Sequence, residues 1–189
     1  MPEFHPVTPE RWEDLATLFG ARGACAGCWC MWWRLAHAEF VRGQGARNRR
    51  ALRALVRAGR EPGILGYVDG IPAAWCAVAP RAELPRLARS RILAPVDDVP
   101  VWSIVCFFVA KRFRGRGLTV PLIEAAAAYA TAHGAGVVEA YPVDPRAPLP
   151  AAFAYTGVAS AFARAGFVEV ERRSPARPIM RRTLRGRRR

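Results

Sequence analysis

Lysine is nearly missing from this chain of 189 residues: Lys111 is the only lysine among 29 basic residues. Acidic residues are also scarce, 15 in all, which leaves a formal net charge of +14. Arginine in place of lysine, together with abundant Ala, Gly and Pro, is the mark of a GC-rich coding sequence. The charge therefore does not by itself imply nucleic acid, although it favours anionic ligands in general. No apolar run approaches the roughly 18 residues of a membrane-spanning helix, which excludes that class. The start, Met1-Pro-Glu-Phe-His-Pro6, lacks a basic n-region and an apolar h-region, so a cytoplasmic location is expected. The five cysteines are an odd number in a chain long enough to fold without staples, and they read as reduced thiols. Internal repeats and linker-like stretches are missing too. Residues 1–184 read as a single domain and 185–189 as a basic C-terminal tail.

What is present is an alternation of strand and helix signals. Phe4–Val7 reads as a first strand, and Thr8 with Pro9 opens a helix over Pro9–Phe19. Gly20–Gly27 reads as a loop. The pattern predicts further helices over Cys28–Val41 and Ala46–Ala58. Two apolar runs flank Asp69-Gly70, a strong hairpin signal. Residues 80–100 read as a loop with one short helix. Val101–Val109 reads as a buried strand, Thr119–His133 as an alanine-rich helix and Val137–Tyr141 as another strand. A proline-rich loop over Pro142–Pro150, a helix over Val158–Ala165 and strands over Phe167–Arg172 and Ile179–Leu184 complete the chain. Hairpins flanking one strand-turn-helix-strand crossover predict an α/β (α+β) fold with a mixed sheet.

The most informative stretch joins the buried strand to the alanine-rich helix: Lys111-Arg-Phe-Arg114-Gly-Arg-Gly117-Leu-Thr119. Free amides at a helix start, the positive end of the helix dipole and guanidinium groups coincide there, which suits an anion and best a phosphate. No Gly-Lys-Ser/Thr follows, so a nucleotide P-loop is disfavoured. The Gly-x-Gly-x-x-Gly of dinucleotide folds is also absent.

Arg114-Gly-Arg-Gly117-Leu-Thr119 resembles the acetyl-CoA signature of the GNAT family of N-acetyltransferases, Arg/Gln-x-x-Gly-x-Gly/Ala. Thr119 departs from the small residue usual at the last position. Ala165-Gly-Phe167 falls where that family ends its last helix, and the order of elements agrees from Phe4 to Leu184. The resemblance implies a mostly antiparallel mixed sheet of six to seven strands with a central splay, flanked by helices. It implies acetyl-CoA as co-substrate, with no metal. Phe107, Phe108 and Val109 would run beside the pantetheine arm. Amides of Gly115, Arg116, Gly117, Leu118 and Thr119 would hold the pyrophosphate, with charge from Arg112, Arg114 and Arg116. It also implies that Trp29, Trp32, Trp33 and Arg34 wall the acceptor pocket.

The acid and base are less legible. Many members of that family carry a catalytic Tyr four residues before the Gly-Phe pair, and here that position is Phe162. Tyr155 and Tyr141 are the nearest alternatives for the acid, and Glu139 is the candidate carboxylate base. Ser103 and Cys106 lie on the cofactor strand, but alternation does not assign their faces. Cys106 as an acyl-accepting nucleophile would need a lowered pKa. Cys25, Cys28, Cys30 and His37 invite a zinc reading, but the knuckle spacing is wrong and Cys28 and Cys30 would point to different sides of a helix. The expected activity is N-acetyl transfer from acetyl-CoA to a small-molecule amine, with homodimerisation left open. Nucleic acid is disfavoured as a partner and no membrane is expected. Two rival readings stand: a catalytically silent acyl-CoA sensor, suggested by Phe162, and a nucleic-acid-associated protein using the Arg-rich tail.

Overall fold

Asp69 and Gly70 both take left-handed backbone angles, φ +52° and +71°. That is the geometry of the tight hairpin turn that the Asp-Gly pair signals. The turn joins β2 (Gly63–Val68) to β3 (Ile71–Pro80). A computed structural model describes residues 1–145, 150 and 153–184. Around this hairpin stand β1 (Glu3–Pro6), β4 (Trp102–Val109), β5 (Val137–Ala140), β6 (Val168–Glu171) and β7 (Ile179–Thr183). They form one seven-stranded sheet in the order β1-β2-β3-β4-β5-β7-β6. Every pairing is antiparallel except β4 with β5. The parallel pair is joined by the crossover helix α5 (Thr119–Ala132). The remaining helices are α1 (Trp12–Phe19), α2 (His37–Gly43), α3 (Ala46–Arg57), α4 (Pro85–Ala88) and α6 (Ala159–Arg164).

Alternation along the strands sends side chains into two cores, one on each face of the sheet. Trp75, Ala77 and Ala79 of β3 pack with Trp12, Leu15 and Leu52 from the α1 and α3 side. Ala74, Cys76 and Val78 face α5 and α6, where they meet Leu122, Ala126 and Phe162. The small Ala126, Ala127 and Ala130 are fully or almost fully buried and let α5 lie close to the strands.

One irregularity shapes the rest of the molecule. Ala77 pairs with Cys106 but Val78 pairs with Ile104, so Val105 is an extra residue bulged out of β4. The bulge resets the alternation: Val105, Cys106 and Phe108 all lie on the α1 side. It also bends β4, and β5 pairs with it only at Trp102, Ser103 and Ile104. Beyond Ile104 the two strands part. This is the central splay.

The expected helix over Cys28–Val41 is not formed. Residues 21–36 run as successive turns, and the helix is confined to His37–Gly43. Ala24, Ala26, Trp29 and Cys30 all have positive φ, +68°, +47°, +45° and +55°, which a right-handed helix cannot contain. Tertiary contacts hold these strained residues in place. The Trp29 indole stacks on Trp12 at 6.0 Å and meets Phe19 edge-on at 5.6 Å. Trp75 Nε1–H donates to Cys30 Sγ at 3.1 Å. Gly23 is required because a Cβ there would lie 2.2 Å from the Trp29 indole nitrogen. Cys28 and Cys30 therefore lie on turns and not on opposite sides of a helix. Among the described residues, no group of three or more His, Cys, Asp or Glu is arranged to hold a metal ion. No helix among them is long and apolar enough to cross a membrane. The tail at 185–189 and residues 146–149 of the proline-rich loop lie outside the described residues.

Candidate functional site

The turn after β4 is built to present donors. Gly115 and Gly117 sit at φ +75° and +74°, with open space where a Cβ would lie. The first backbone bond of α5 runs from Leu122 N–H to the Leu118 carbonyl. Among the described residues, the N–H groups of Gly115, Arg116, Gly117, Leu118, Thr119 and Val120 donate to no backbone carbonyl. Pro121 adds no orphan donor, since it has no N–H. Lys111, Arg112, Arg114 and Arg116 surround this turn, and none has a carboxylate partner among the described residues. Phe113 is buried beneath, with the Arg112 and Arg116 guanidiniums 4.9 and 5.4 Å from its ring. Unsatisfied amides, a helix N-terminus and unpaired cations together fit a pyrophosphate.

The donors open into a cleft of about 760 Å³ that follows the splay. One wall is the β4 segment Phe107, Phe108 and Val109; the other is Ala154, Tyr155 and Gly157. The Phe107 N–H donates to the Tyr155 carbonyl at 2.6 Å. The Ala110 N–H points the other way, to Ala73 of β3 at 3.0 Å. By alternation the Val109 N–H, one residue earlier, lies on the edge that faces the cleft. Backbone polar groups on an unpaired strand edge are what an amide-bearing arm can bond.

A second cavity of about 400 Å³ meets the cleft. Trp32, Trp33 and Tyr155 line both, so the two spaces share a wall. Trp33 is fixed there by its Nε1–H, which donates to the carbonyl of the bulged Val105 at 2.9 Å. The bulge thus both opens the splay and anchors the partition.

The sequence model of the acetyltransferase (GNAT) family matches residues 29–154, well over half of the chain. The chain belongs to the GNAT acetyltransferase family. No curated protein matches it in sequence. Among solved structures, it is similar to a GNAT-family acetyltransferase from Streptococcus agalactiae, with 14% identity and a TM-score of 0.57 over 97% of this chain and 96% of that one. A GNAT acetyltransferase from Listeria monocytogenes gives 10% identity and a TM-score of 0.58, covering 97% and 95%. The PaiA N-acetyltransferase of Thermoplasma acidophilum, solved with coenzyme A, gives 11% identity and a TM-score of 0.53, covering 97% and 99%. At these identities the likeness establishes the fold.

Within this GNAT acetyltransferase, the expected site residues separate into groups. Phe107, Phe108, Val109, Arg114, Gly115, Gly117, Leu118 and Thr119 all line the cleft, as do Trp32, Trp33 and Tyr155. Trp29 does not: it is buried in the core against Trp12 and Phe19. Arg34 lines neither cavity and pairs with Glu83 at 3.2 Å. Two of the four expected acceptor-wall residues are therefore structural.

Glu139 is not placed to act as a base. Its side chain is sealed from solvent and lines neither space. Its Oε1 accepts from Arg81 Nη1 at 3.0 Å and from the Tyr141 hydroxyl at 2.5 Å. Its Oε2 accepts from Arg181 Nε at 2.7 Å. The Tyr141 hydroxyl also contacts Ser103 Oγ at 2.9 Å, so Tyr141 and Ser103 belong to this buried network. The alternation of β5 turned Glu139 inward, and sequence could not show that two distant arginines meet it there. Phe162 is wholly buried, packed edge-on to Phe107 and Phe167.

Cys106 is not a nucleophile of low pKa. The neighbouring Cys30 thiol, followed by burial, pushes its own thiol well above the ordinary value, while the approach of Cys106 and the Trp75 N–H lower Cys30 against the cost of burial. Tyr155 is half-buried, and burial first of all raises its phenol. Sequence reasoning missed Arg86, Arg89 and Arg177 and weighed His37 only as a metal ligand; all four line the smaller cavity. They come from three separate segments with no shared motif.

Proposed function

We propose that this GNAT acetyltransferase moves the acetyl group of acetyl-CoA to the primary amine of a small acceptor by direct transfer. The observation that carries the reading is the set of unspent amides at the head of α5, opening into a cleft along the splayed edge of β4. The amides of Gly115, Arg116, Gly117, Leu118 and Thr119 bind the pyrophosphate. Arg112, Arg114 and Arg116 add charge beside it. Phe107, Phe108 and Val109 run along the pantetheine arm, with the Val109 N–H on the cleft edge. When bound, acetyl-CoA supplies an activated thioester.

The chain's own groups supply the proton handling. The acceptor amine enters through the smaller cavity and its lone pair attacks the acetyl carbon. As the C–S bond breaks, the Tyr155 hydroxyl gives its proton to the sulfur. Tyr155 suits the acid role because it lines both spaces and burial keeps its proton on. Among the described residues the lining of neither space contains a carboxylate, so the amine's surplus proton leaves to solvent through the open mouth of the smaller cavity, where His37 stands, and solvent returns a proton to the Tyr155 phenolate by the same route. The thiol that emerges is the readout. Thiol release measured with acetyl-CoA across a panel of amines should show turnover that Tyr155→Phe removes. Binding of acetyl-CoA with no thiol release from any amine would instead support the sensor reading, which the buried Phe162 favours.

A further inference from the structure

The smaller cavity is strongly basic, and among the described residues nothing in its lining neutralises it. Arg86, Arg89 and Arg177 line it, and no acidic residue does. Three other half-buried arginines are paired with carboxylates: Arg34 with Glu83, Arg81 with Glu139, and Arg181 with both Glu139 and Asp97. Among the described residues, Arg86, Arg89 and Arg177 have no carboxylate partner.

Two of the three are held in position by contacts that leave guanidinium donors to spare. Arg86 lies flat over Trp32, its Cζ 3.5 Å from the ring centroid, and its Nε donates to the Leu35 carbonyl at 3.2 Å. Neither of its terminal nitrogens has a partner within the described chain. Arg177 Nη1 donates to Thr156 Oγ1 at 3.1 Å and to the Tyr141 carbonyl at 3.3 Å, its guanidinium stands beside the Tyr155 phenol, and its Nη2 has no hydrogen-bond partner within 3.5 Å among the described residues. Arg89 stands exposed at the rim. The fork of a guanidinium fits an oxyanion, and stacking on an indole orients it in advance.

We infer that the acceptor is an amine that also carries an oxyanion, a carboxylate or a phosphate, which Arg86 and Arg177 hold while the amine reaches past Trp33 to Tyr155. This rests on the acetyl-transfer reading and narrows its acceptor class. A dication would meet like charge in this cavity. For an acceptor bound by its anion, the same arginines disfavour the ammonium form of the amine, and the neutral form is the one that attacks.

The test uses the full chain and matched ligands: an amino carboxylate, an aminoalkyl phosphonate, the alkylamine of equal length without the anion, and a diamine. Binding is read from tryptophan fluorescence, since Trp32 and Trp33 line the cavity, so the result does not depend on turnover. One of the two anionic ligands should bind roughly tenfold or more tighter than the plain amine, as expected for a charge-assisted pair with arginine. Which of them binds tighter tells a carboxylate from a phosphate acceptor. Arg86→Gln and Arg177→Gln should each erase most of that preference, and the anion should compete with the amine and not with acetyl-CoA. Equal binding of all four ligands, tighter binding of the diamine, a preference that survives both substitutions, or competition with acetyl-CoA would overturn the inference. Stabilisation by acetyl-CoA, measured on the same protein, keeps the outcomes distinct. Stabilisation without anion preference refutes the acceptor class alone, and no stabilisation refutes the transferase reading beneath it.

Discussion

Glu139→Gln separates a structural carboxylate from a catalytic one. Glu139 is the only carboxylate that Arg81 contacts among the described residues, at 3.0 Å, and both side chains are largely or wholly buried. Removing the charge leaves Arg81 with neutral partners: the Tyr141 hydroxyl and the carbonyls of Leu87 and Leu93. Arg181 is less affected, because it keeps its two bonds to Asp97 at 2.6 and 3.0 Å. One uncompensated buried guanidinium costs about 3 kcal/mol when its partner is removed. For a chain of this length that lowers Tm by roughly 6–12 °C. Urea unfolding followed by tryptophan fluorescence gives the value, with an unchanged m-value showing that the denatured state is the same. Asp97→Asn, which breaks the exposed half of the network, should move the urea midpoint far less than Glu139→Gln does. A Glu139→Gln protein of unaltered stability whose turnover falls about a hundredfold would refute this reasoning and restore Glu139 as the base.

Other outcomes follow from the same contacts. Leu122→Ala, at a fully buried position where α5 meets the sheet, should cost about 2–5 kcal/mol in urea unfolding. Tyr155→Phe should lower kcat by about a hundredfold or more while stabilisation by acetyl-CoA persists. Because burial raises the Tyr155 phenol, the alkaline limb of the wild-type rate profile should lie above the ordinary tyrosine value of about 10. Tyr67 and Tyr129 donate to Asp14 and Glu61 at 2.7 Å, and burial with these carboxylates raises both phenols. The unfolded chain ionises near pH 10 while the folded one keeps its protons. Stability should therefore hold below about pH 10 and fall as pH rises above it, seen as a declining urea midpoint. A flat midpoint through that range would contradict the placement of these hydroxyls.

Much of the fold is local chemistry and was legible for that reason. Asp69-Gly70 specified its own turn, and the run of alanines closed by Gly134 marked α5. The anion site was legible because it is one contiguous stretch, a strand, a glycine turn and a helix start, whose donors need no distant partner. The segment from Ala24 to Cys30 was not legible, because its left-handed residues are held by Trp12, Phe19 and Trp75, far away in sequence. Glu139 was misread for the same reason: its partners Arg81 and Arg181 lie on other strands or loops. The acceptor cavity draws Trp32, Arg86, Tyr155 and Arg177 from four segments. No spacing rule could gather them. The bulge at Val105 is the hinge between the two kinds of feature. It leaves no mark in the apolar run Val101–Ala110, yet it opens the splay, turns Cys106 to the α1 side and receives the Trp33 indole.

The central claim is that the head of α5 and the splayed edge of β4 bind acetyl-CoA. Thermal unfolding with increasing acetyl-CoA tests it most directly. A ligand bound only by the folded chain, at a hundred times its Kd, adds about 2.7 kcal/mol, or roughly 5–10 °C in Tm for this length. The same titration on the Arg114→Ala, Gly117→Ala double variant checks the location. Its added methyl meets open space, so the variant should fold at a cost of about 1–2 kcal/mol in backbone strain. The account predicts a saturable rise in Tm for the wild type that the double variant loses. No rise at any concentration, or an equal rise in both proteins, would contradict it.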